Sequence, residues 1–480
     1  MTSSDSNKAS SRSSKFIKDI GIYAIGNIGS KLITFLMVPM YTHYINTSDF
    51  GYYDVCLTYC MLLIPLVTLQ LRDGAFRFLL DCGNETQRQR IVTFVSRTML
   101  STIAVSLIIT AVLSMTVSIK YLGYIFGMLI AMSLQEVYSQ VFRGLGNNRA
   151  FVAVGMISAF GIGLFSIIFV VLLGWGIKGV YLANIIARVL ALVIVEMRVR
   201  LITRNTRWNI SAREVGKDIL RYTLPLLPGS LCWWLTGSSD RQFIRYFLGL
   251  DVNGVYAVAI RFTGIINTLA IIFYQAWQET AILQYNSPDR DRFFSKMFNS
   301  YIYVLALILI PYAFLLKVNY GWLVAPEYHE SLNFIYPLGV SAVIFAIAAF
   351  FDMGYQCAKD TPRTLPAIML AAIVNVVLNF ALIKPLGVYG VIATQLVTYL
   401  VLVTYRWHDM RRYFTLKIYH RTALPIVMLL VSAVPFYYCR NAVLDMAYML
   451  AAIGCIAWSF RDELERQWKT FVTKTAGRIK

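Results

Sequence analysis

The sequence predicts an all-α polytopic membrane protein with about fourteen transmembrane helices. Three observations carry this. Hydrophobic residues fill 58% of the 480 positions and charged ones 14%, against about 45–50% and about 25% in soluble domains. So few charges cannot solvate the surfaces of a soluble chain of this length. The apolar residues fall in runs near the ~20 needed to cross a bilayer, and Lys and Arg gather in alternate connections between those runs.

In order, the runs lie at about 17–43, 50–71, 92–116, 121–142, 151–173, 177–197, 218–248, 252–281, 299–316, 332–357, 364–383, 387–405, 422–438 and 442–460. Residues 1–15 are polar and Ser-rich, which predicts a disordered cytoplasmic N-terminus. No small-residue cleavage site follows, so the first run is read as a retained helix. Residues 16–199 make a first lobe of six spans, 200–217 a basic cytoplasmic linker and 218–410 a second six-span lobe. Two further spans lie within 411–460, and 461–480 is a basic cytoplasmic tail.

The formal net charge of +19 is a topology signal. With the N-terminus cytoplasmic, 34 of the 44 Lys and Arg fall on that side. Lys120, Lys178, Lys317, Lys384 and Arg440 lie outside, and Lys31, Arg188, Arg241, Arg245 and Arg261 lie within spans. Nucleic acid has nothing left to explain. The longest external loop is 317–331, so no soluble catalytic domain is expected on either side. The seven cysteines form no CxxC and the four histidines lack ligand spacing, which predicts neither a metal centre nor a disulfide framework.

Weak internal similarity pairs LLGWGIKGVYLANIIARVLALV (172–193) with IKPLGVYGVIATQLVTYLVLV (383–403), aligning Gly176 and Gly179 with Gly387 and Gly390. TSDFGYYDV (47–55) likewise echoes LDVNGVYAV (250–258), with Gly51 opposite Gly254. The expectation is two parallel six-helix repeats related by a pseudo-twofold axis along the membrane normal.

A charge at the bilayer centre costs ~2.5–3.5 kcal/mol on insertion scales, so those retained usually meet a partner or a cavity. Lys31, Arg241, Arg245 and Arg261, with Arg72 and Arg77 at the end of the second span, suggest a basic cavity suited to phosphate. Plainer readings stand beside this. Arg72 and Arg77 serve equally as positive-inside anchors, Arg245 can snorkel, and Arg188 can pair with Glu136. Asp240, Asn375, Asn379 and Thr394 lie at similar depth and suit either a hard cation or interhelical hydrogen bonds. Pro225 and Pro228 predict a kinked seventh helix.

LPLLPGSLCWWLTGSSDRQFI (224–244), GVYAVAIRFTGIINTLAIIFYQAWQETA (254–281), LRDGAFRF (71–78) and GNIGSKLITFLMVPMYT (26–42) together resemble Wzx-type polysaccharide flippases. SSDR (238–241) and QAWQ (275–278) are the most specific pieces. The family belongs to the multidrug/oligosaccharidyl-lipid/polysaccharide exporter superfamily, with the lipid II flippases and MATE drug exporters. The resemblance implies a flippase moving undecaprenyl-diphosphate-linked oligosaccharide to the outer leaflet by alternating access, for O-antigen, capsule or related surface polysaccharide. It implies Lys31, Arg77 and Arg261 as substrate-binding residues. It also implies Asp240, Asn375, Asn379 and Thr394 as a sodium site in which Asn379 replaces a carboxylate. A monomer in the bacterial inner membrane, not an enzyme, follows from the same likeness. It would need no cofactor beyond a coupling Na+ or H+, and polysaccharide polymerase and chain-length machinery would be its partners. The alternatives are a cation-coupled small-molecule exporter of the same fold and a membrane polysaccharide polymerase or ligase.

Overall fold

The computed structural model describes residues 33, 35–358 and 360–476. Among these there is no strand, and twelve helical stretches are long and apolar enough to cross a membrane. The first predicted span lies largely outside the described residues. The seventh is missing from the twelve for a physical reason given below. Contacts divide the chain into two compact units, Met1–Ala257 and Val258–Lys480.

In the first unit, α1 (Thr47–Val67) starts at Asn46, whose side chain accepts from the Asp49 amide, satisfying one of the donors every helix start leaves open. Leu69 and Gln70 both take left-handed backbone conformations and turn the chain into α2 (Leu71–Leu80). α3 (Glu85–Thr116), α4 (Leu122–Gly144) and α5 (Asn148–Ser166) follow, α5 running on into a π-helical turn at Ile167–Leu172. The α3–α4 loop is tied to α1 by Lys120, whose ammonium lies 3.1 Å from Asp49. That bond holds the Lys120 pKa above its ordinary value. α6 (Gly176–Val199) and the short α7 (Leu201–Asn205) lead to the linker.

The seventh predicted span is not one kinked helix. It divides into α8 (Arg213–Thr223), a 3-10 turn at Leu224–Leu226, α9 (Leu227–Gly237) and α10 (Asp240–Phe247). Pro225 and Pro228 each remove a backbone donor. At the second break Ser239 Oγ donates to Leu235 O and Thr236 Oγ1 to Trp233 O, local bonds that compete with the helical ladder. α11 (Leu250–Gln284) begins in the first unit and continues into the second.

The second unit contains α12 (Arg290–Leu323), α13 (Leu332–Cys357), α14 (Thr364–Leu386), α15 (Val388–Met410), α16 (Ala423–Val431), α17 (Ala433–Tyr438) and α18 (Ala442–Ala476). Its core is aromatic: Trp277 stacks on Phe350 at 4.7 Å, and Phe294, Phe298 and Tyr301 pack around them. The predicted loop 317–331 is mostly helical, since α12 continues to Leu323 and a 3-10 helix occupies Pro326–Ser331. Lys317 is therefore not a loop residue. Its ammonium meets Asp445 of α18 at 2.8 Å and donates to the Cys439 carbonyl at the end of α17.

The glycines of the internal similarity fold alike. Gly176 and Gly387 both take positive φ, +53° and +57°, where an L side chain is disfavoured. Three residues on, Gly179 and Gly390 each press on the backbone of the preceding segment. A Cβ there would lie 3.0 Å from Phe169 C and 2.2 Å from Leu382 O respectively. Gly51 and Gly254 meet each other's helices. A Cβ on Gly51 would lie 1.9 Å from Leu250 O, and one on Gly254 would lie 2.0 Å from Thr47 O. The contact is reciprocal in the register of the sequence alignment.

Candidate functional site

The basic residues singled out from sequence differ in what they meet. Lys31 lies outside the described residues. Arg77 is exposed and paired with Asp81 one turn on, at 3.0 Å. Arg72 bonds to Glu136. Arg188, for which the sequence allowed a pairing with Glu136, has its Nη1 donating to Gln135 Oε1 at 2.6 Å instead. Arg241 is buried, its Nε 3.2 Å from Asp54 Oδ2 of α1 and its Nη1 donating to Gly237 O.

Arg241 is one strand of a wider tie. Trp234 Nε1 donates to Thr58 O at 2.8 Å, and Gln242 Nε2 to Thr58 Oγ1 at 3.0 Å. The broken segment α9–α10 is thus strapped to α1 over two helical turns. One turn beyond Arg241, Arg245 is exposed. Arg261, on α11, is half-buried. Sequence reasoning passed over Asp54. Its signal was available, because an acid inside an apolar run costs as much to insert as a base and invites the same search for a partner.

The oxygen-bearing residues fall in both units. In the first, Asp240 is buried and its Oδ2 accepts from Tyr256 OH at 3.1 Å. In the second, Asn375, Asn379 and Thr394 are all fully buried. Asn379 Nδ2 donates to Asn375 Oδ1 at 3.0 Å, Asn375 Nδ2 lies 3.4 Å from Thr398 Oγ1, and Thr394 Oγ1 donates to Gly390 O at 2.9 Å. The three form part of a polar seam between α14 and α15.

A further network in the second unit was missed. Arg406 of α15, one residue past the twelfth predicted run, is buried and sits 3.0 Å from Asp352 of α13, with Nη1 donating to Ala348 O. Gln356 donates to Tyr274 OH at 2.7 Å and to Asp352 at 3.2 Å, and accepts from Gln278 at 2.6 Å. Gln278 is the last residue of the QAWQ motif. Its partner Gln356 is 78 positions away in sequence, out of reach of periodicity.

No curated protein matches the sequence. Among solved structures, the lipid II flippase MurJ in an inward closed conformation is similar with a TM-score of 0.71 and 12% identity, covering 92% of this chain and 99% of that one. An inward-facing multidrug resistance MATE family transporter of the MOP superfamily is similar at 0.67 and 13%, covering 81% and 98%. A mutant form of the Vibrio cholerae MATE transporter VcmN is similar at 0.54 and 13%, covering 84% and 97%. At these identities the likeness establishes a shared fold. The family described as polysaccharide biosynthesis protein matches residues 16–278, more than half of the chain, and the protein belongs to that family.

Proposed function

We propose that the protein flips undecaprenyl-diphosphate-linked oligosaccharide from the cytoplasmic to the outer leaflet by alternating access, supplying cell-surface polysaccharide such as O-antigen or capsule. The observation that carries the reading is the match to polysaccharide biosynthesis proteins over residues 16–278. The fold shared with a lipid II flippase supports it. In this reading Lys31, Arg245 and Arg261 attract the diphosphate. Arg77 and Arg241 shape the field around it while paired to Asp81 and Asp54. Moving an anion outward from a negative interior gains ~2.3 kcal/mol per charge per 100 mV. The protein works as a monomer in the bacterial inner membrane, with both termini cytoplasmic and Na+ or H+ as coupling ion, beside the polymerase and chain-length machinery.

The test is a deletion strain scored for lipid-linked glycan. The reading expects accumulation in the cytoplasmic leaflet, relieved by the wild-type gene. Unchanged lipid-linked glycan, with drug sensitivity instead, would favour a small-molecule exporter. The MATE likeness recommends that second reading.

A further inference from the structure

We propose that a pocket between α3 and the linker binds the phosphate of an anionic membrane-lipid headgroup, with a polyol headgroup of the phosphatidylglycerol kind preferred. The pocket is open and about 290 Å3 in volume. Phe94, Arg97, Thr98 and Ser101 form one wall, spaced so that all four share one face of α3. Ser211 and Arg213 stand opposite, where the linker enters α8.

The walls are tied together. The Arg207 amide donates to Thr93 Oγ1 at 2.9 Å, Arg97 donates to Trp208 O, and Gly216 lies against the Phe94 ring so closely that a Cβ would come within 2.4 Å. The bond to Trp208 engages one of the five guanidinium N–H donors of Arg97. Among the described residues neither Arg97 nor Arg213 is in an ion pair. Two guanidinium groups on facing walls suit a phosphate, which accepts their forked donors. Ala212 cannot cap α8, so its first amides add to the positive field. Glu214, in that first turn, does not line the pocket.

Two features select a lipid over free phosphate. From Leu100 onward α3 exposes Val105, Leu107, Ile108 and Val112, each more than half exposed. In a bilayer acyl chains would cover that surface, and Arg97 lies one turn before it along α3, within reach of a headgroup. Thr98 and Ser101 already donate to their own helix, to Phe94 O and Arg97 O. Their remaining lone pairs can accept from an alcohol, and a glycerol headgroup supplies one.

The test measures the thermal midpoint of the purified full-length protein in micelles containing phosphatidylglycerol, phosphatidylcholine or phosphatidylcholine plus inorganic phosphate. Wild type should be stabilised by phosphatidylglycerol alone. Arg97→Gln with Arg213→Gln should lose more than half of that shift. Lys217→Gln with Arg221→Gln removes the same charge from exposed positions outside the pocket and should keep most of it. Ser101→Trp fills the pocket without changing charge and should also lose the shift, which guards against a double variant that fails to fold. Equal loss in both charge pairs, or a full shift in the Ser101→Trp variant, would overturn the site. Stabilisation by inorganic phosphate equal to that by lipid would overturn the lipid assignment.

Discussion

Asp54 and Arg241 show how a buried charge changes its meaning once its partner is known. Breaking a buried pair by removing one member costs about 3–5 kcal/mol, whereas replacing both by apolar residues is often neutral or better. Asp54→Ala should therefore lower thermal stability sharply, while Asp54→Leu combined with Arg241→Met should recover most of the loss. Thermal unfolding of the three proteins measures this. For Lys31→Ala and Arg261→Ala the expectation is the reverse: lost export at near-normal protein levels, read from accumulated lipid-linked glycan. Asn379→Asp should give the α14–α15 seam a carboxylate and with it a sodium-dependent rise in thermal midpoint larger than in wild type. The residue types at these positions were legible in the sequence because charges and amides stand out in apolar runs. Their partners were not. Arg241 meets an acid 187 positions away, and Arg188 meets Gln135, the neighbour of the glutamate that the sequence had offered.

Glycines decide what is possible between helices. Gly51→Ala and Gly390→Ala each force a Cβ onto a carbonyl oxygen, 1.9 and 2.2 Å away, and backbone must move to make room. Gly155, inside α5, has nothing within 4 Å of a Cβ. Gly155→Ala should gain up to about 1 kcal/mol of helix propensity, while the other two should lose stability in the same thermal assay. The alignment that paired Gly51 with Gly254 and Gly179 with Gly390 was readable because two echoes occur in the same order and Gly176 and Gly179 recur at the spacing of Gly387 and Gly390. The seventh span was read less well. Its prolines announced a kink, but the second break, at Gly237–Ser239, depends on side chains of Thr236 and Ser239 choosing carbonyls within their own turn. Composition does not reveal that choice.

Across the whole molecule, orientation is the expectation on which depth and direction rest. A single cysteine at Glu327 should be labelled by an impermeant maleimide from the external side, and one at Arg204 should be spared. Both positions are exposed, so access to reagent is the only variable. The fold class was legible throughout, since run length and charge placement are averaged over hundreds of residues. The length of the 317–331 loop was not, because Lys317 looked like an interfacial charge until Asp445 supplied its counter-ion.

The division of the seventh span also bears on how the chain enters the membrane during synthesis. α9 has eleven residues and α10 eight, about 16 Å and 12 Å of helix at 1.5 Å per residue. Neither reaches across ~30 Å of hydrocarbon, and the segment carries Asp240, Arg241 and Arg245. Such a segment partitions poorly from the translocation channel on its own. What it needs is already in place: α1 is made some 170 residues earlier and presents Asp54 and the Thr58 carbonyl to Arg241 and Trp234. The expectation is that integration of this segment needs α1 to have stayed near the exit site. A chain with Asp54 replaced by Leu should emerge with a fraction of molecules inverted from α11 onward, a biogenesis defect arising from the loss of a single ion pair.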